Sequence, residues 1–381
     1  MFKRYWTITC REFIYMWRDR GLRHILLLGP LLGVLLFYGI YQVGVLKAIP
    51  TAIVDLDRSR TSQELVNNLI QTENLEIQSY LENFDTLEAS IRQGEVVVGV
   101  VIPENYSQQV ALNRTAHILL VIDGSNMIYA TNATSAVLSV SRNLGAQIGI
   151  KTLLARGVQL NQAREAYQAI VFREEPWFNP TLNYAYFLVL ALALNFWQQC
   201  CTLAASMTII GETGWRSWLQ WKAIGISQIT LFSCKTIAHL ITFMGLVLPI
   251  YVFIFLVLKF PLSSSWWTLL SFTFLFVIAM HAVSTMMSSF ASNGVDATRF
   301  GMLIALPAFI LSGYTWPLEV MPDFLQKAVW ILPHTWFFQG LNYLLFKDPG
   351  WAFLSFYFLA LAIIALVAYS VTAIVCYWRN N

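Results

Sequence analysis

The sequence is poor in charge, and this shortage already narrows the class of protein. Of its 381 residues only 12% are charged, whereas 57% are hydrophobic and the mean hydropathy is +0.57. A soluble domain carries about 25% charged residues, so this chain has too few to cover a surface that faces water. The composition argues against a soluble enzyme, a disordered regulator and a nucleic-acid-binding protein, and it indicates a membrane protein.

Residues and motifs that carry chemistry are also scarce. The G-x-x-x-x-G-K-[ST] phosphate loop, the G-x-S-x-G elbow and the H-E-x-x-H motif are absent, and no Cys/His spacing suits zinc. We therefore expect no catalytic residue, metal or cofactor in this chain, so that an energised transporter would need ATP hydrolysis by a partner. All five cysteines lie outside residues 45–180, so this block needs a core of its own instead of disulfides.

The remaining charge is unevenly distributed. Residues 45–180 hold 14 acidic and 10 basic residues, whereas the rest of the chain holds 7 acidic and 14 basic residues. A mildly acidic, soluble-like block is thus inserted into a basic, apolar frame.

Apolar runs near the 20 residues that a spanning helix needs occur six times. They cover residues 22–45, 181–210, 224–258, 266–290, 300–316 and 351–378. The first run could be a signal peptide, but its basic region is unusually long and no A-x-A site follows, which favours a retained anchor.

The basic residues indicate how these spans are oriented. Six of them precede the first span, and others follow the second (Arg216, Lys222), fourth (Arg299) and sixth (Arg379) spans. With six spans all of these segments lie on one side, which the positive-inside rule makes cytoplasmic. The acidic block then faces outward, and both termini are cytoplasmic.

Residues 1–21 mix aromatic residues such as Trp6 and Trp17 with basic ones. This mixture favours a cytoplasmic helix that lies in the membrane interface, among anionic lipids. An ordinary basic flank would explain the charges but not the aromatic residues.

Residues 46–180 alternate between strand and helix patterns. The strand patterns cover residues 50–57, 75–81, 95–103 and 117–124. Helical patterns separate them, the first with Ser62 near its N-cap, and one long helix is expected over residues 126–169. The alternation predicts an external α/β domain inserted between helices 1 and 2 of a membrane α-helical fold.

Three aspartates in this block, Asp55, Asp57 and Asp123, could suggest a metal or acid–base site. Each lies at the end of a strand pattern and before a turn, where Asp and Ser serve local hydrogen bonding. The structural interpretation is favoured.

An ordered set of motifs runs along the chain. In the acidic block the motifs are Pro50, Asp55, Asp57, Ser59, Gly94, Val101-Ile102-Pro103, Tyr106, Asp123-Gly124-Ser125 and Asn179-Pro180. The most specific stretch precedes the last span and contains Leu311-Ser312-Gly313, Pro317, Glu319, Met321-Pro322, Pro333 and Thr335. With this order of parts, the chain resembles the permease (transmembrane) subunits of type-2 ATP-binding-cassette (ABC) exporters. It is most similar to the subgroup with a large external domain between the first and second spans.

The resemblance implies several partners and a location. Separate cytoplasmic ABC ATPase subunits would bind ATP and Mg, and a second permease protomer, either the same chain or a paralogue, would complete the pathway. The location would be the bacterial cytoplasmic (inner) membrane. The external block would either extend the exit route or dock a periplasmic adaptor, the latter only in a bacterium with two membranes.

The resemblance also implies an ATPase-coupling helix in the first cytoplasmic loop, residues 211–223. Family members carry Glu-x-Gly-Thr there; here Glu212 and Gly214 remain, but Trp215 replaces Thr and the preceding residues are apolar. The partner would then present a more apolar groove, or this chain is the weaker half of a heterodimer. The expected coupling residues are Glu212, Gly214, Trp215, Arg216, Trp218, Trp221 and Lys222.

The three tryptophans recur every three residues and would form one ridge on a helix. Such a ridge can anchor a protein interface. Alternatively, the rings only hold the loop in the headgroup layer.

Two further groups of residues are expected to serve transport. Residues 317–350 are too polar and proline-rich to span, and they resemble the family's re-entrant external segments. The expected external gate comprises Ser312, Gly313, Trp316, Pro317, Glu319, Met321 and Pro322. The pathway candidates are the polar residues Asn195, Gln198, Gln199, His239 and His281, because such groups face a bundle interior or a cavity. For Lys235 and His239, snorkelling to the cytoplasmic edge is as good an explanation as a role in transport. Glutamines within spans such as Gln198 and Gln199 more often hold helices together than bind a substrate.

These observations predict an exporter permease for a hydrophobic or amphipathic cargo such as a lipid or drug, with the outward direction implied by resemblance alone. The alternative is a membrane receptor whose external domain binds a ligand or adaptor without transport. That alternative would need a cytoplasmic output module, and the sequence ends at Asn381, shortly after the last span.

Overall fold

The computed structural model describes residues 2–44, 46–167, 175–214 and 217–380, and it divides into two compact units. The helical unit comprises Met1–Gly44 and Pro176–Asn381, and the α/β unit comprises Val45–Glu175.

The helical unit begins with α1 (Phe2–Arg18) and α2 (Arg20–Tyr41). In α2, Gly29 and Gly33 lie on one face and allow a close approach of the next long helix of this unit. A Cβ atom at Gly29 would lie 2.5 Å from Cys200 Sγ, and one at Gly33 would lie 2.9 Å from the ring of Phe196. Small residues four apart allow helices to pack closely in a membrane.

The α/β unit contains a four-stranded sheet with helices between the strands. In chain order its described elements are β1 (Ile49–Asp55), α3 (Arg60–Ile70), β2 (Leu75–Leu81), α4 (Phe84–Gln93), β3 (Val98–Ile102), α5 (Tyr106–Ala111), β4 (Leu119–Ile122), α6 (Met127–Ala155) and α7 (Leu160–Tyr167). The strand order is β2-β1-β3-β4; β1 is parallel to β2 and β3, and β4 is antiparallel to β3.

Both faces of this sheet are covered, because its central strands are apolar on both sides. On one face, side chains such as Ile53 and Val100 pack against α3, α5 and α6. On the other face, Ala52 and Val54 pack against Leu87 of α4. Runs of Val and Ile that are buried on both faces are typical of parallel strands.

One detail of this unit differs from the sequence predictions, and a second prediction is made more precise. The long helix expected over residues 126–169 is interrupted after Ala155, because the amides of Gly157 and Val158 fold back onto carbonyls of the last turn of α6. Residues 168 and 169 lie outside the described residues. The N-cap of α3 is Ser59, which forms a reciprocal capping box with Ser62.

The helical unit resumes after residue 175. Its further α-helices are α8 (Tyr184–Gly214), α9 (Ser217–Ala223), α10 (Gln228–Tyr251), α11 (Trp266–Phe290), α12 (Gly294–Leu311), α13 (Asp323–Ala328), α14 (Pro333–Asn342) and α15 (Trp351–Asn380). A π-helical turn, Val252–Val257, continues α10 just after Pro249. Within the described residues six helices are long and apolar enough to cross a membrane, namely α2, α8, α10 with its π-turn, α11, α12 and α15. This number confirms the prediction of six membrane helices.

The ends of some spans differ from their predicted positions. The fifth span was expected at residues 300–316, but α12 begins at Gly294 after an Asn293 cap and ends at Leu311. The third span was expected from residue 224, but α10 begins at Gln228 after a Ser227 cap. In both cases a polar capping residue, which satisfies free amides of the first turn, sets the start of the helix.

The two chain ends that flank the α/β unit are joined within the helical unit. The amide of Tyr184 donates to the carbonyl of Gly44 over 2.8 Å. A Cβ atom at Gly44 would lie 2.6 Å from Oδ1 of Asn183. Gly44 and Asn183 are therefore neighbours.

Candidate functional site

A buried ammonium group lies between two carboxylates in the helical unit. Lys235, on α10, is 3% exposed. Its Nζ lies 3.1 Å from Oε2 of Glu12 on α1 and 3.0 Å from Oε1 of Glu212 on α8. One lysine thus connects α8 and α10 to α1, which lies far from both in sequence.

Arg11 completes the charge balance of this group. Its Nη2 lies 2.6 Å from Oε1 of Glu212, and its guanidinium lies 4.7 Å from the ring centroid of Trp221 on α9. We call Arg11, Glu12, Glu212 and Lys235 the charge cluster. Two acids and two bases leave the cluster neutral, as burial of charged groups requires.

The electrostatics of the cluster can be followed at Glu12, which lies on α1 and outside the spans. Burial alone would raise the pKa of Glu12, but the hydrogen bond with His239 and the charge of Lys235 outweigh it and lower the pKa from 4.5 to about 2. Glu12 is therefore an anion at neutral pH, and it stays charged because its partners are in place.

A chain of rings extends from the cluster into the helical unit. His239 Nε2 lies 3.5 Å from Oε1 of Glu12, and its Nδ1 lies 3.0 Å from Nε2 of His281 on α11. His281 Nδ1 in turn lies 2.9 Å from the hydroxyl of Tyr369 on α15, and Thr208 of α8 contacts His239 from the side. The polar contacts that begin at α1 thus reach four of the spanning helices.

A cleft of about 200 Å³ opens at the charge cluster. Arg11, Glu212 and Lys235 line it together with Ser217, whose hydroxyl donates to the Glu212 carboxylate. Of the cluster, Arg11 is partly exposed at this cleft, whereas Glu12, Glu212 and Lys235 are buried.

Of the predicted coupling residues, Glu212 belongs to the cluster and Trp221 contacts Arg11 of the cluster. Trp218 and Trp221 of α9 are half-buried and pack with Ile8 of α1 and Leu231 of α10. The side of α9 that stays exposed carries Leu219, Gln220 and Lys222 instead. Gly214 ends α8, so the predicted loop at residues 211–223 begins inside the second span helix. Trp215 and Arg216 lie outside the described residues.

The five pathway candidates fall into two groups. His239 and His281 belong to the ring chain at the charge cluster, where burial at 2% and 0% leaves no room for snorkelling of His239. Asn195, Gln198 and Gln199 form a separate group on α8, in which both glutamine amides contact Asn195 Oδ1.

Gln198 joins three helices, as a polar residue does when it holds a bundle together. Its Nε2 also donates to the carbonyl of Ala305 on α12 over 3.3 Å, and its Oε1 lies 3.0 Å from Nε2 of His334 on α14. Gln198 and His334 are both fully or nearly fully buried.

The predicted gate residues divide into a group that packs against the rest of the helical unit and an exposed group. Ser312 is buried, and its carbonyl accepts a hydrogen bond from Gln339 Nε2 over 3.0 Å. Gly313 has φ +79, and a Cβ atom there would lie 2.5 Å from Gln339 Nε2 and from Leu318 Cγ. Of the other gate residues Met321 is buried, whereas Trp316, Pro317, Glu319 and Pro322 are exposed.

The aspartates of the α/β unit serve its turns. Asp55 accepts from the amides of Asp57 and Arg58, and Asp123 accepts from that of Ser125. Burial would raise the pKa of Asp57, but hydrogen bonds from Ser59 and Ser107 outweigh it and lower the pKa. Across the described residues no group of three or more His, Cys, Asp or Glu could hold a metal ion.

The candidate functional residues that the sequence patterns did not reveal lie mainly in the charge cluster and the ring chain. In the sequence, Arg11 and Glu12 are charges within the amphipathic segment at residues 1–21, and no pattern distinguishes Tyr369. A signal did exist for Glu12, since an acidic residue in a strongly basic amphipathic segment needs a basic partner when it is buried. The identity of that partner, Lys235, depends on the tertiary fold.

Known proteins resemble this chain along most of its length. It matches the family model described as ABC-2 family transporter protein over residues 21–374. It is 26% identical over 356 residues to the probable multidrug ABC transporter permease YbhR of Escherichia coli K12, with 92% of each chain covered. It is 24% identical over 313 residues to the inner membrane transport permease YhhJ of the same strain, covering 81% of this chain and 79% of that protein.

Proposed function

Because the chain belongs to the ABC-2 transporter family, we propose that it is the permease subunit of an exporter powered by separate ATPase subunits. Members of this family are the permease components of transporters and are not themselves enzymes; they normally work with separate ATPase subunits. The cargo in this proposal is hydrophobic or amphipathic and moves outward across the bacterial inner membrane. The word multidrug in the name of YbhR supports this class of cargo.

The orientation in this proposal places α1, α9 and both termini in the cytoplasm. The basic residues around α1 and after the second, fourth and sixth spans support it. The α/β unit then faces outward, where it would extend the exit route or bind a periplasmic adaptor. A second copy of the chain, or a paralogue, would form the other wall of the pathway.

The observation that carries the coupling part of the proposal is the sharing of Lys235 by Glu12 and Glu212. An ATPase that presses on the exposed side of α9 would move Trp218 and Trp221, which pack against α1 and α10. Since the charge cluster ties α1, α8 and α10 together, this displacement would reach two spans at once.

A charged connection suits this task better than an apolar one. Buried ion pairs add little net stability compared with apolar contacts, but their geometry fixes the register between the helices that they join. The cleft at Arg11, Glu212 and Lys235 would in addition let the connection loosen and reform as the partner moves.

The outer end of the pathway in this proposal is closed by the segment from Ser312 to Pro322. Support comes from Gly313, which is held against Gln339 and Leu318, and from the buried contact between Ser312 and Gln339. Movement of α14 would shift Gln339 and thereby release this segment.

The coupling role is tested by Lys235→Met in proteoliposomes that contain the permease and its co-purified ATPase. We expect dye export per ATP hydrolysed to fall by about tenfold, since about 1.4 kcal/mol of lost coupling corresponds to that factor, while ATPase binding is kept. Lys47→Met, which removes an exposed pair of the α/β unit, is the matched control. Lys235→Arg, which keeps the charge, should restore part of the ratio.

Two results would contradict the proposal at different levels. Normal export per ATP in a folded Lys235→Met variant would remove the charge cluster from the coupling mechanism. Failure of the wild-type chain to bind any ABC ATPase, with no ATP-dependent dye movement, would remove the exporter function itself.

The surface that faces the ATPase is tested by Leu219→Asp. Leu219 is 59% exposed on α9, so the change should leave folding intact but prevent co-purification of the ATPase. Leu112→Asp, at a residue of the α/β unit that is 54% exposed, is the control. Equal ATPase recovery with both variants would place the contact elsewhere.

A further inference from the structure

A cavity of about 380 Å³ lies in the α/β unit, between α6 and the segment that runs from α5 to residue 118. Its volume lies in the range of sites that hold small organic ligands. Apolar side chains line much of it, including Leu65, Val110, Leu144 and Ile148. None of the residues that line the cavity belongs to the charge cluster or to the proposed gate.

Two glycines of α6 form one wall of this cavity. Gly145 and Gly149 are four residues apart, on one side of the helix, and both line the space. A Cβ atom at Gly145 would meet no atom within 4 Å. Gly145 is exposed, so the cavity is open to solvent at this point, and the two glycines leave this wall of the cavity free of side chains.

Two polar groups of the cavity lack partners. Tyr106 is 94% buried as a residue, and its hydroxyl reaches solvent and has no hydrogen-bond partner among the residues that the structure describes. Burial raises the pKa of Tyr106, as do the charges of Glu64 and Asp57, so its hydroxyl stays protonated and can donate. Arg114 lines the same cavity, is exposed, and forms no ion pair with any described residue.

We infer that this cavity binds a small amphipathic organic anion, whose apolar part fills the space beside Gly145 and whose acidic group pairs with Arg114. The unpaired guanidinium selects a negative charge, and the apolar walls select a hydrophobic body. A free hydroxyl at Tyr106 adds a hydrogen-bond donor for an oxygen of the ligand. The limited volume favours a small molecule over a segment of an adaptor protein.

The test uses the full-length chain in lipid nanodiscs and 8-anilinonaphthalene-1-sulfonate, an aromatic anion, as the probe. Hydrogen–deuterium exchange is measured with and without the probe. Because the readout is local, binding of the probe to lipid or to the spans does not obscure it. We expect slower exchange in the segments 106–118 and 141–149, and no change in α4.

Two variants and their controls separate the cavity from the rest of the unit. Gly145→Leu fills the open space and should abolish the protection, whereas Asn143→Leu, at an exposed position of α6 outside the cavity, should not. Arg114→Gln should weaken the binding about tenfold, as expected for the loss of one charge-assisted contact. Arg142→Gln, next to the cavity residues but not among them, is its control.

A neutral probe tests the charge directly. N-phenyl-1-naphthylamine has the same rings without the sulfonate. It should protect the two segments less than the anion does, and its protection should be the same in Arg114→Gln as in the wild-type chain. The inference is overturned if the anion protects Gly145→Leu as much as the wild-type chain. It is also overturned if the anion gives no protection in the wild-type chain. If Gly145→Leu fails to fold, the exposed Arg114→Gln variant still decides it.

Discussion

The helical unit and the α/β unit contain the same kinds of local contact at very different depths. Lys235 is bound by two acids with side chains that are 2% to 4% exposed, whereas Lys47 is 2.5 Å from Glu73 with side chains that are 55% and 75% exposed. Gly313 and Gly94 both have positive φ, but only Gly313 is in contact with other side chains. The comparison teaches that burial, more than geometry, decides how much a contact contributes to the free energy of unfolding.

The largest difference is expected between Lys235→Met and Lys47→Met. Loss of Lys235 leaves the buried carboxylate of Glu12 without its cation and should lower the free energy of unfolding by about 3 to 5 kcal/mol. Loss of the exposed Lys47 should have no measurable effect, because exposed ion pairs are weak. Thermal unfolding of both variants in the same detergent measures the difference.

A double variant sharpens this test. Glu12→Gln combined with Lys235→Met removes one of the two carboxylates and should recover part of the lost stability. If the double variant is as unstable as the sum of the two single changes, Glu12 and Lys235 are not coupled.

The second effect concerns pH. Glu12 has its pKa lowered to about 2, so its contribution to stability is present above its ordinary value of 4.5 and is lost as the pH falls toward about 2. The loss should be on the order of 3 kcal/mol, since one pKa unit corresponds to about 1.4 kcal/mol. The unfolding temperature, measured from neutral pH downward, should decrease as the pH goes from 4.5 to about 2. In Glu12→Gln this decrease should be smaller.

Glu73 provides the contrast for that experiment. A hydrogen bond from Lys47 lowers the pKa of Glu73 as well, but both groups face solvent. Glu73→Gln should leave the acid profile as it is, and a flattened profile in this variant would show that exposed carboxylates carry the pH dependence.

The third effect compares Gly313→Ala with Gly94→Ala. Both changes put a side chain on a left-handed backbone, which costs about 1 to 2 kcal/mol. At Gly313 the new Cβ would in addition overlap Gln339 and Leu318, adding about 1 to 3 kcal/mol, whereas at Gly94 nothing lies within 4 Å. Equal losses of unfolding temperature would mean that the contact with Gln339 adjusts freely.

The smallest effect is expected at the N-cap of α3. Ser59→Ala removes one half of the capping box and should weaken α3 by about 1 kcal/mol. Ser139→Ala, on the exposed surface of α6, is the control. Amide exchange in residues 60–70 of the full chain measures the change, and unaltered exchange would mean that packing of Leu65 alone holds the helix.

Much of the fold could be predicted from sequence because membrane helices and buried parallel strands have strong apolar patterns. The ends of the helices were harder, because one polar residue determines them. Asn293 accepts a hydrogen bond from the amide of Asp296, and Ser227 from that of Thr230, and a hydropathy pattern does not detect such a short signal.

The candidate site was predicted less completely, for a physical reason. The spacing of Trp218 and Trp221 places them on one face of α9, but periodicity does not tell whether that face meets a partner or the chain's own α1. Likewise, a buried Lys235 must have an acidic partner, yet only the tertiary fold brings Glu12 to it across more than two hundred residues.

The hydrogen bond between Tyr184 and Gly44 has a consequence for modularity. Since the insertion leaves and re-enters its host bundle at one point, a tight turn grafted between Gly44 and Asn183 could replace everything between them without redirecting either flanking helix. The same junction would accept a different lobe of any size whose own ends are close together. A permease of this design can therefore exchange its α/β unit as a whole while the helical unit is retained.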